Sequence, residues 1–266
     1  MPTYRLTIEY DGTKFAGWQV QASGRTVQGV LLEALREATG EREIDLQGAG
    51  RTDAGVHALG QVGSLRCRGR LEPARLLRDL DRLLPAEVAV LEARLAPAGF
   101  HARHDATGRS YRYQLAERRS AFGKRFTWWA GERLDEAAMG RAAAHFAGRH
   151  DFAAFCKRAA ATESTLVEVE SCSVTRVGEL ILLRLVASHF LWNQVRRMVG
   201  ALVAVGRGEA APADTSRWLT GAAPPPALAA PAAGLFLEAV RYPGEAWALP
   251  PLLPVGVPLP RERWGG

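Results

Sequence analysis

The sequence predicts an α+β fold made of two ferredoxin-like halves, each with the element order β-α-β-β-α-β. Residues Thr3 to Tyr10 alternate between two sets of side chains, as a half-buried strand does. Apolar residues then recur at helical spacing after Thr26 and again after Pro73. The same order of strands and helices returns in the second half of the chain. We therefore expect mainly antiparallel sheets joined into one extended curved sheet, with the helices on one side.

The first half begins with the strand at Thr3–Tyr10. A helix follows it, with Thr26 as a plausible N-cap and Gly40 as its stop. Pro73 opens a second helix, because the first helical turn tolerates proline. The remaining elements of this half are a short strand at 44–46, a glycine-rich loop at 48–55, a strand at 61–67 and a strand at 88–95.

The second half repeats this order without a convincing repeat of residues. Its predicted elements are a strand at 110–115, a helix at 135–147, strands at 167–177 and 180–187, an apolar helix at 191–205, a short helix at 215–219 and a strand at 235–242. We interpret the chain as two domains, residues 1–105 and 106–243, with an Ala/Pro linker at 222–233. A Pro/Gly-rich C-terminal tail at 244–266 is expected to lie on the surface.

Composition excludes several classes of protein. Hydrophobic residues make up 47% and charged residues 23% of the 266 residues, which is typical of a globular protein rather than a disordered one. The three cysteines lie far apart and follow no metal-binding spacing, which argues against a zinc site or a disulfide framework and favours a reducing cytoplasm. We expect no signal peptide and no membrane span, because the apolar stretches are too short.

Basic residues suggest a nucleic-acid partner. The formal net charge is +6, and only three of the 34 basic residues are lysines. Arginine pairs with phosphate in a bidentate manner, although a GC-rich coding bias explains the composition equally well. The basic residues crowd in the segment 101–133, beside Trp128 and Trp129. This segment is either an RNA-binding patch or a solvated strand edge guarded by arginines.

The glycine-rich segment from Gly48 to Ala58 is the strongest candidate for a catalytic loop. It presents Arg51, Thr52 and Asp53 between glycines that permit a tight backbone path. A neighbouring arginine keeps a carboxylate ionised, so Asp53 is suited to act as a nucleophile or a general base. An Asx-turn, in which Asp53 only caps backbone N–H groups, is an equally weighted alternative.

The residues from Gly50 to Ala58 resemble the catalytic motif of the tRNA pseudouridine synthase A (TruA) family. Three further stretches resemble the family in order and spacing: Tyr10-Asp11-Gly12 with Phe15-Ala16-Gly17-Trp18-Gln19, Phe100-His101-Ala102-Arg103 with Arg109-Ser110-Tyr111-Arg112-Tyr113, and Phe190 with Val195-Arg196 and Val199-Gly200. The resemblance covers residues 3–243. It departs at Gln194, where an apolar residue is expected, and in the tail.

The resemblance implies an isomerase that converts uridine to pseudouridine in the anticodon stem-loop of tRNA, at positions 38, 39 and 40. It implies Asp53 as the catalytic residue, Tyr111 beside the flipped base, Arg196 as the partner of Asp53, and Arg51 in the space that the base leaves. Tyr111 as a core tyrosine and Arg196 reaching to solvent are the alternatives. The further RNA contacts that we expect are Lys14, Arg25, Arg118, Arg119 and Arg125.

No cofactor and no metal are expected, since the product is an isomer of the substrate. The resemblance implies a cytoplasmic homodimer that grips tRNA, with no membrane partner. His57 is expected to be a packed, hydrogen-bonded residue rather than a catalytic one. Two alternatives stay open: a pseudouridine synthase with another RNA target, and an RNA-binding protein without catalysis. A metal-dependent nuclease needs clustered carboxylates, which the sequence around Asp53 lacks.

Overall fold

The structure is a computed structural model that describes residues 1–131, 133–157, 164–247 and 249–257. Its strands are β1 (Thr3–Tyr10), β2 (Asp45–Gly48), β3 (His57–Arg66), β4 (Val88–Leu95), β5 (Gly108–Ala116), β6 (Trp128–Trp129), β7 (Gly148–Asp151), β8 (Leu166–Val177), β9 (Leu180–Ala187) and β10 (Leu235–Arg241). Its α-helices are α1 (Val27–Thr39), α2 (Pro73–Leu83), α3 (Glu136–Ala144), α4 (Gln194–Gly206) and α5 (Asp214–Leu219).

The residues group by their internal contacts into two units. Unit 1 comprises Met1–Thr107 and Phe236–Trp247, and unit 2 comprises Gly108–Leu235 with the described residues of 249–257. The predicted domain boundaries at residues 105 and 243 stay a prediction. The two units differ from the predicted domains chiefly in β10. Almost all of this strand groups with the first half of the chain, whereas the prediction assigns it to the second domain.

In unit 1 the strands follow the order β4-β1-β3-β10, and β2 also pairs with β3. The pairs β1–β3, β1–β4 and β2–β3 are antiparallel, whereas β10 runs parallel to β3. The alternation of β1 buries one set of side chains completely, as Leu6 and Ile8 show. The register places Tyr10 opposite Ala58, so the end of β1 lies beside the start of β3.

In unit 2 the strands follow the order β5-β9-β8-β7, with antiparallel pairing along this path, and the short β6 runs parallel to β5. Helix α4 forms the core beside this sheet. All its residues are buried except Arg196 and Arg197. The predicted α+β class with mainly antiparallel sheets is confirmed.

Most helix ends lie where the sequence predicts them. The Thr26 hydroxyl accepts a hydrogen bond from the Gly29 N–H at 3.2 Å and caps α1, and Gly40 ends this helix with a φ of 71°. The predicted start of α4 at residue 191 is wrong. Asn193 adopts a φ of 64°, a left-handed conformation that no α-helix continues through, so α4 begins at Gln194.

Three further differences concern strands and the linker. Strand β3 begins at His57, four residues before the predicted start, and β6 and β7 were not expected. The Ala/Pro segment lies against α4, since a Cβ on Gly200 would come within 2.0 Å of the Leu228 carbonyl oxygen. The sequence pattern missed this contact because short Ala/Pro runs carry no periodicity.

The C-terminal tail makes specific contacts. In unit 1 the Glu245 carboxylate pairs with the guanidinium group of Arg5. In unit 2 the Val255 N–H donates to the side-chain oxygen of buried Gln114 at 2.7 Å, and the Gln114 amide donates back to the Val255 carbonyl at 3.0 Å. Residues 248 and 258–266 of the predicted tail lie outside the described residues.

None of the helices in the described ranges combines the length and the apolar character that crossing a bilayer demands.

Candidate active site

Asp53 lies in the loop between β2 and β3 of unit 1. Its side chain is half-buried, next to buried Thr52 and exposed Ala54. The Val56 N–H donates to the Asp53 carbonyl at 3.1 Å and closes a four-residue turn. Gly55 occupies the third position of this turn with a φ of 77°, which glycine adopts without a steric penalty. The glycine pattern thus produces the tight turn that the sequence predicts.

The start of the loop is fixed by strand β3. The Ala49 N–H donates to the Val62 carbonyl at 2.8 Å, and the buried Gln61 amide donates to the Gly50 carbonyl at 2.8 Å. Arg51 follows directly and is exposed. The arrangement therefore presents a guanidinium to solvent two residues before the half-buried carboxylate of Asp53.

The other side of the loop lies against the segment that follows β1. The Trp18 N–H donates to the Thr52 carbonyl at 3.0 Å, and the Gly55 N–H donates to the Phe15 carbonyl at 3.3 Å. The hydroxyl groups of Tyr10 and Thr52 are 2.8 Å apart and share a hydrogen bond. The motif at residues 10–19 therefore supports the Asp53 loop, a contact that sequence order alone does not reveal.

Two glycines make this close approach possible. A Cβ on Gly12 would lie 1.9 Å from the Val56 carbonyl oxygen, and one on Gly17 would lie 2.6 Å from the Thr52 carbonyl oxygen. Gly17 also has a φ of 110°. Both distances are shorter than real Cβ contacts allow, so the loop keeps its position only with glycine at these two places.

His57 closes the base of the loop. It is 1% exposed and stacks on Phe236, with the ring centroids 4.7 Å apart. Its Nδ1 accepts a hydrogen bond from the Gly12 N–H at 3.0 Å and lies 3.2 Å from the Asp11 carboxylate. The expectation of a packed, hydrogen-bonded histidine is confirmed.

Tyr111 lies on β5 of unit 2, opposite Leu185 of β9. Its side chain is 9% exposed, and its ring meets Phe190 edge-on, with the centroids 5.2 Å apart and the planes at 87°. The structure thus brings together Tyr111 and Phe190, from the second and third motifs of the resemblance. A tyrosine in this setting has little freedom to turn, which suits a side chain that positions a planar partner.

Arg196 lies in the first turn of α4. Its Nε donates to the Ala230 carbonyl at 2.6 Å, and a terminal nitrogen donates to the Asn193 side-chain oxygen at 3.1 Å. Burial raises the pKa of the Tyr113 phenol well above its usual value, and the positive charge of Arg196 offsets part of this rise. A pairing of Arg196 with Asp53 stays a prediction.

Lys14 and Arg25 share one acidic partner in unit 1. Lys14 Nζ lies 2.8 Å from the Glu87 carboxylate, and an Arg25 nitrogen lies 3.8 Å from it. The hydrogen bond from Lys14 is the main reason that the pKa of Glu87 lies below its ordinary value. The Arg25 guanidinium also covers the Phe15 ring at 4.6 Å. Both cations are exposed, so a phosphate would have to compete with Glu87.

Most basic residues of the predicted patch in the segment 101–133 reach the surface. Arg118, Arg119 and Arg125 are exposed. The Arg118 Nε lies 2.7 Å from Glu179, and Arg119 lies over the ring of Trp129 at 5.5 Å. Arg112 is not a surface residue: it is 3% exposed and donates to the Leu253 carbonyl at 2.8 Å. Glu132, which the sequence places in this segment, lies outside the described residues.

No three His, Cys, Asp or Glu side chains in the described ranges come together as a metal ligand set. The three cysteines form no disulfide. The expectation that the protein uses no metal and no cofactor stays a prediction from the sequence.

The chain is similar to known proteins over most of its length. A family model described as tRNA pseudouridine synthase matches residues 6–105 and 142–243. Among curated proteins, the chain is 44% identical over 245 residues to tRNA pseudouridine synthase A of Pelobacter propionicus, covering 91% of this chain and 100% of that protein. The proteins of the same name from Moorella thermoacetica and Sinorhizobium fredii are 43% and 41% identical, again over 91% of this chain and 100% of their own length.

Proposed function

The chain belongs to the tRNA pseudouridine synthase family, a family of isomerases, and we propose that it converts uridines 38, 39 and 40 of the tRNA anticodon stem-loop to pseudouridine. The observation that carries the proposal is the loop of Asp53. Its half-buried carboxylate is held by a glycine turn, by β3 and by the segment at residues 10–19. Two relatives that this chain matches over their full length are both called tRNA pseudouridine synthase A, which supports the proposed activity.

The reaction requires no net gain or loss of atoms. The bond from N1 of uracil to C1′ of the ribose breaks, the base turns, and a new bond forms from C5 to C1′. The proton on C5 leaves, and N1 ends protonated. Asp53 acts as the nucleophile or as the base, and its fixed position lowers the entropic cost of reaching the sugar. Because no oxidant, reductant or energy source is consumed, we propose an enzyme without cofactor or metal.

The other residues hold the substrate. Tyr111, fixed edge-on by Phe190, stacks against the uracil and helps to remove the C5 proton. Arg196, oriented by Asn193 and the Ala230 carbonyl, supports the charge of Asp53. Exposed Arg51 fills the space that the target base leaves, which offsets part of the cost of flipping it out.

Basic side chains bind the RNA backbone. We assign this role to Lys14, Arg25, Arg118, Arg119 and Arg125, all of which are exposed. Several adjacent target uridines imply recognition of tRNA shape more than of base edges. We extend the proposal to a cytoplasmic homodimer that holds tRNA, as the family resemblance implies, and light scattering of the purified protein with and without tRNA tests this assembly.

The substitution Asp53→Asn tests the catalytic assignment. It removes the charge but little volume, so we expect release of tritium from C5-tritiated tRNA to fall below detection while tRNA binding persists. The assay contains purified protein and unmodified tRNA without any cofactor. Asp45→Asn, which makes the same change on β2 of the same unit, serves as the control and should retain activity. Normal tritium release by Asp53→Asn would refute the role of Asp53.

A further inference from the structure

Trp192 lies in the short connection between β9 and α4, and its contact with Lys157 is not explained by the roles assigned above. The side chain of Trp192 is 55% exposed although its neighbours on both sides are more buried. Lys157 Nζ lies 4.4 Å from the centroid of the indole ring. The ammonium therefore lies over one face of the half-exposed indole, and the pair combines an aromatic surface with a positive charge.

The backbone around Trp192 is firmly held. The Leu191 N–H donates to the side-chain oxygen of buried Gln194 at 2.8 Å, and the Gln194 N–H donates to the Leu191 carbonyl at 3.1 Å. Asn193 turns the chain through its left-handed conformation. Phe190, two residues earlier, meets Tyr111. The exposure of Trp192 is thus imposed by the fold of this connection.

Lys157 is fixed by a separate anchor. Its N–H donates to the Trp192 carbonyl at 3.0 Å, which ties the two segments together. The chain before it is held by buried Phe152 and Phe155, whose ring centroids are 5.9 Å apart, and by the Arg197 guanidinium, which donates to the Ala154 carbonyl at 3.4 Å. The ammonium therefore reaches the indole from a rigid base.

The chain segment that carries Trp192 has a net positive charge, which favours an anionic partner. Residues 188–198 contain Arg196, Arg197 and no acidic side chain, and Lys157 adds a further cation. Unpaired RNA bases stack on aromatic side chains, and a nearby cation binds the phosphate of the same nucleotide. A protein partner would require a larger apolar area than one indole supplies.

We propose that Trp192 and Lys157 bind an unpaired nucleotide of the RNA substrate, with the indole stacked on its base and the ammonium on its phosphate. This inference rests on the proposed function and deepens it. It adds a substrate-binding element to the connection that already carries Phe190 and Asn193. Because the element binds rather than reacts, its loss affects affinity and leaves the chemical step intact.

The test compares Trp192→Ala, Trp192→Phe and Lys157→Met with the unaltered protein, using unmodified tRNA. We expect Trp192→Ala to raise both KM and the tRNA Kd about tenfold with kcat within about twofold, the size of one lost base stack. Trp192→Phe should retain most of the affinity. Lys157→Met should lower the salt slope of binding by about one. Leu91→Ala, at a residue 50% exposed on β4, serves as the control and should change none of these values.

Two results would overturn the inference: an unchanged Kd in Trp192→Ala, whatever happens to kcat, or a change in oligomeric state, which would make this a protein interface. The proposed function is judged separately. If the unaltered protein released no tritium from the anticodon arm, the proposed function would fail. The Kd values measured with the same tRNA would still decide whether Trp192 binds RNA.

Discussion

Gly12 and Gly17 decide where the Asp53 carboxylate lies, although neither carries a functional group. Each brings backbone against backbone at a distance that leaves no room for a Cβ atom. The motif at residues 10–19 therefore acts through packing as much as through its side chains. A catalytic carboxylate needs positioning to within a fraction of an ångström, and a displaced loop loses activity even when the protein still folds.

The substitution Gly17→Ala tests this view. The added methyl group meets the Thr52 carbonyl oxygen, and the φ of 110° is strained for alanine. We expect a loss of about 1–3 kcal/mol in the free energy of unfolding and at least a hundredfold loss of kcat. Urea unfolding and tritium release measure the two effects. Gly140→Ala, in α3 with open space around its Cβ position, should leave both nearly unchanged or raise stability slightly. Full activity of Gly17→Ala would show that the loop is not fixed by this contact.

At single residues, the sequence predicts local conformation better than contacts between segments that are distant in the chain. Thr26 and Gly55 act as expected, because hydroxyl caps and glycine turns depend on neighbours in the chain. The sequence predicts neither the left-handed conformation of Asn193 nor the hydrogen bond between the hydroxyl groups of Tyr10 and Thr52. The Tyr10–Thr52 hydrogen bond forms only when distant segments meet, and a left-handed asparagine is too uncommon for the residue type alone to predict it.

Among the elements, Arg176 of β8 links the end of β5 to the start of α3. Its guanidinium pairs with the Glu117 carboxylate and donates to the Glu136 carboxylate at 3.1 Å. It also donates to the Leu134 carbonyl at 3.1 Å. Burial raises the pKa of Glu117, but the hydrogen bonds from Arg176 and the Leu134 N–H outweigh it and hold this pKa below its ordinary value. The ion pair therefore stabilises the folded state of unit 2.

This ion pair predicts a pH dependence. A lowered carboxyl pKa contributes stability above the pKa of the unfolded chain, about 4.3, and this contribution is lost as the pH falls through the folded value. We expect Glu117→Gln to lower the free energy of unfolding by about 1 kcal/mol at pH 7, with the difference from the unaltered protein shrinking between pH 5 and 3. Denaturant unfolding across this range measures it. Glu43→Gln, from an exposed pair with Arg68, should cost less than about 0.5 kcal/mol. A difference that did not change with pH would contradict the assignment.

Periodicity predicts the long elements well, because β1, α1, α2 and β9 bury their apolar sides within one unit. It fails for β6 and β7, which are too short to show a pattern. It also fails for the tail, where backbone groups of Leu253 and Val255 bond to side chains of β5. Backbone hydrogen bonds leave no trace in residue type, so these contacts require the structure.

Across the whole molecule, the positive charge is the property that the RNA substrate meets first. The formal net charge of +6 favours association with a polyanion, and the affinity should fall steeply with salt. Composition gives the excess of basic residues but does not predict which of them are exposed. Arg112 is buried within β5 and donates to the Leu253 carbonyl of the tail, whereas Arg118, Arg119 and Arg125 follow the end of β5 and are exposed.

Simultaneous replacement of Arg118, Arg119 and Arg125 by alanine tests the placement of the patch. We expect weaker tRNA binding and a salt slope that falls by about one for each arginine that contacts a phosphate. Titrations of tRNA binding at several salt concentrations measure it. Replacement of Arg75, Arg78 and Arg82 on α2 removes the same charge elsewhere and should lower the slope less. Equal slopes for the two triple variants would place the RNA outside the patch.

The measurement that tests the central claim most directly is tritium release from tRNA transcripts that differ only at positions 38 to 40. One transcript carries C5-tritiated uridines throughout, with uridine at the three positions, and the other has cytidine there. We predict release from the first transcript, none from the second, and none from either with Asp53→Asn. Equal release from both transcripts would contradict the assignment to the anticodon stem-loop.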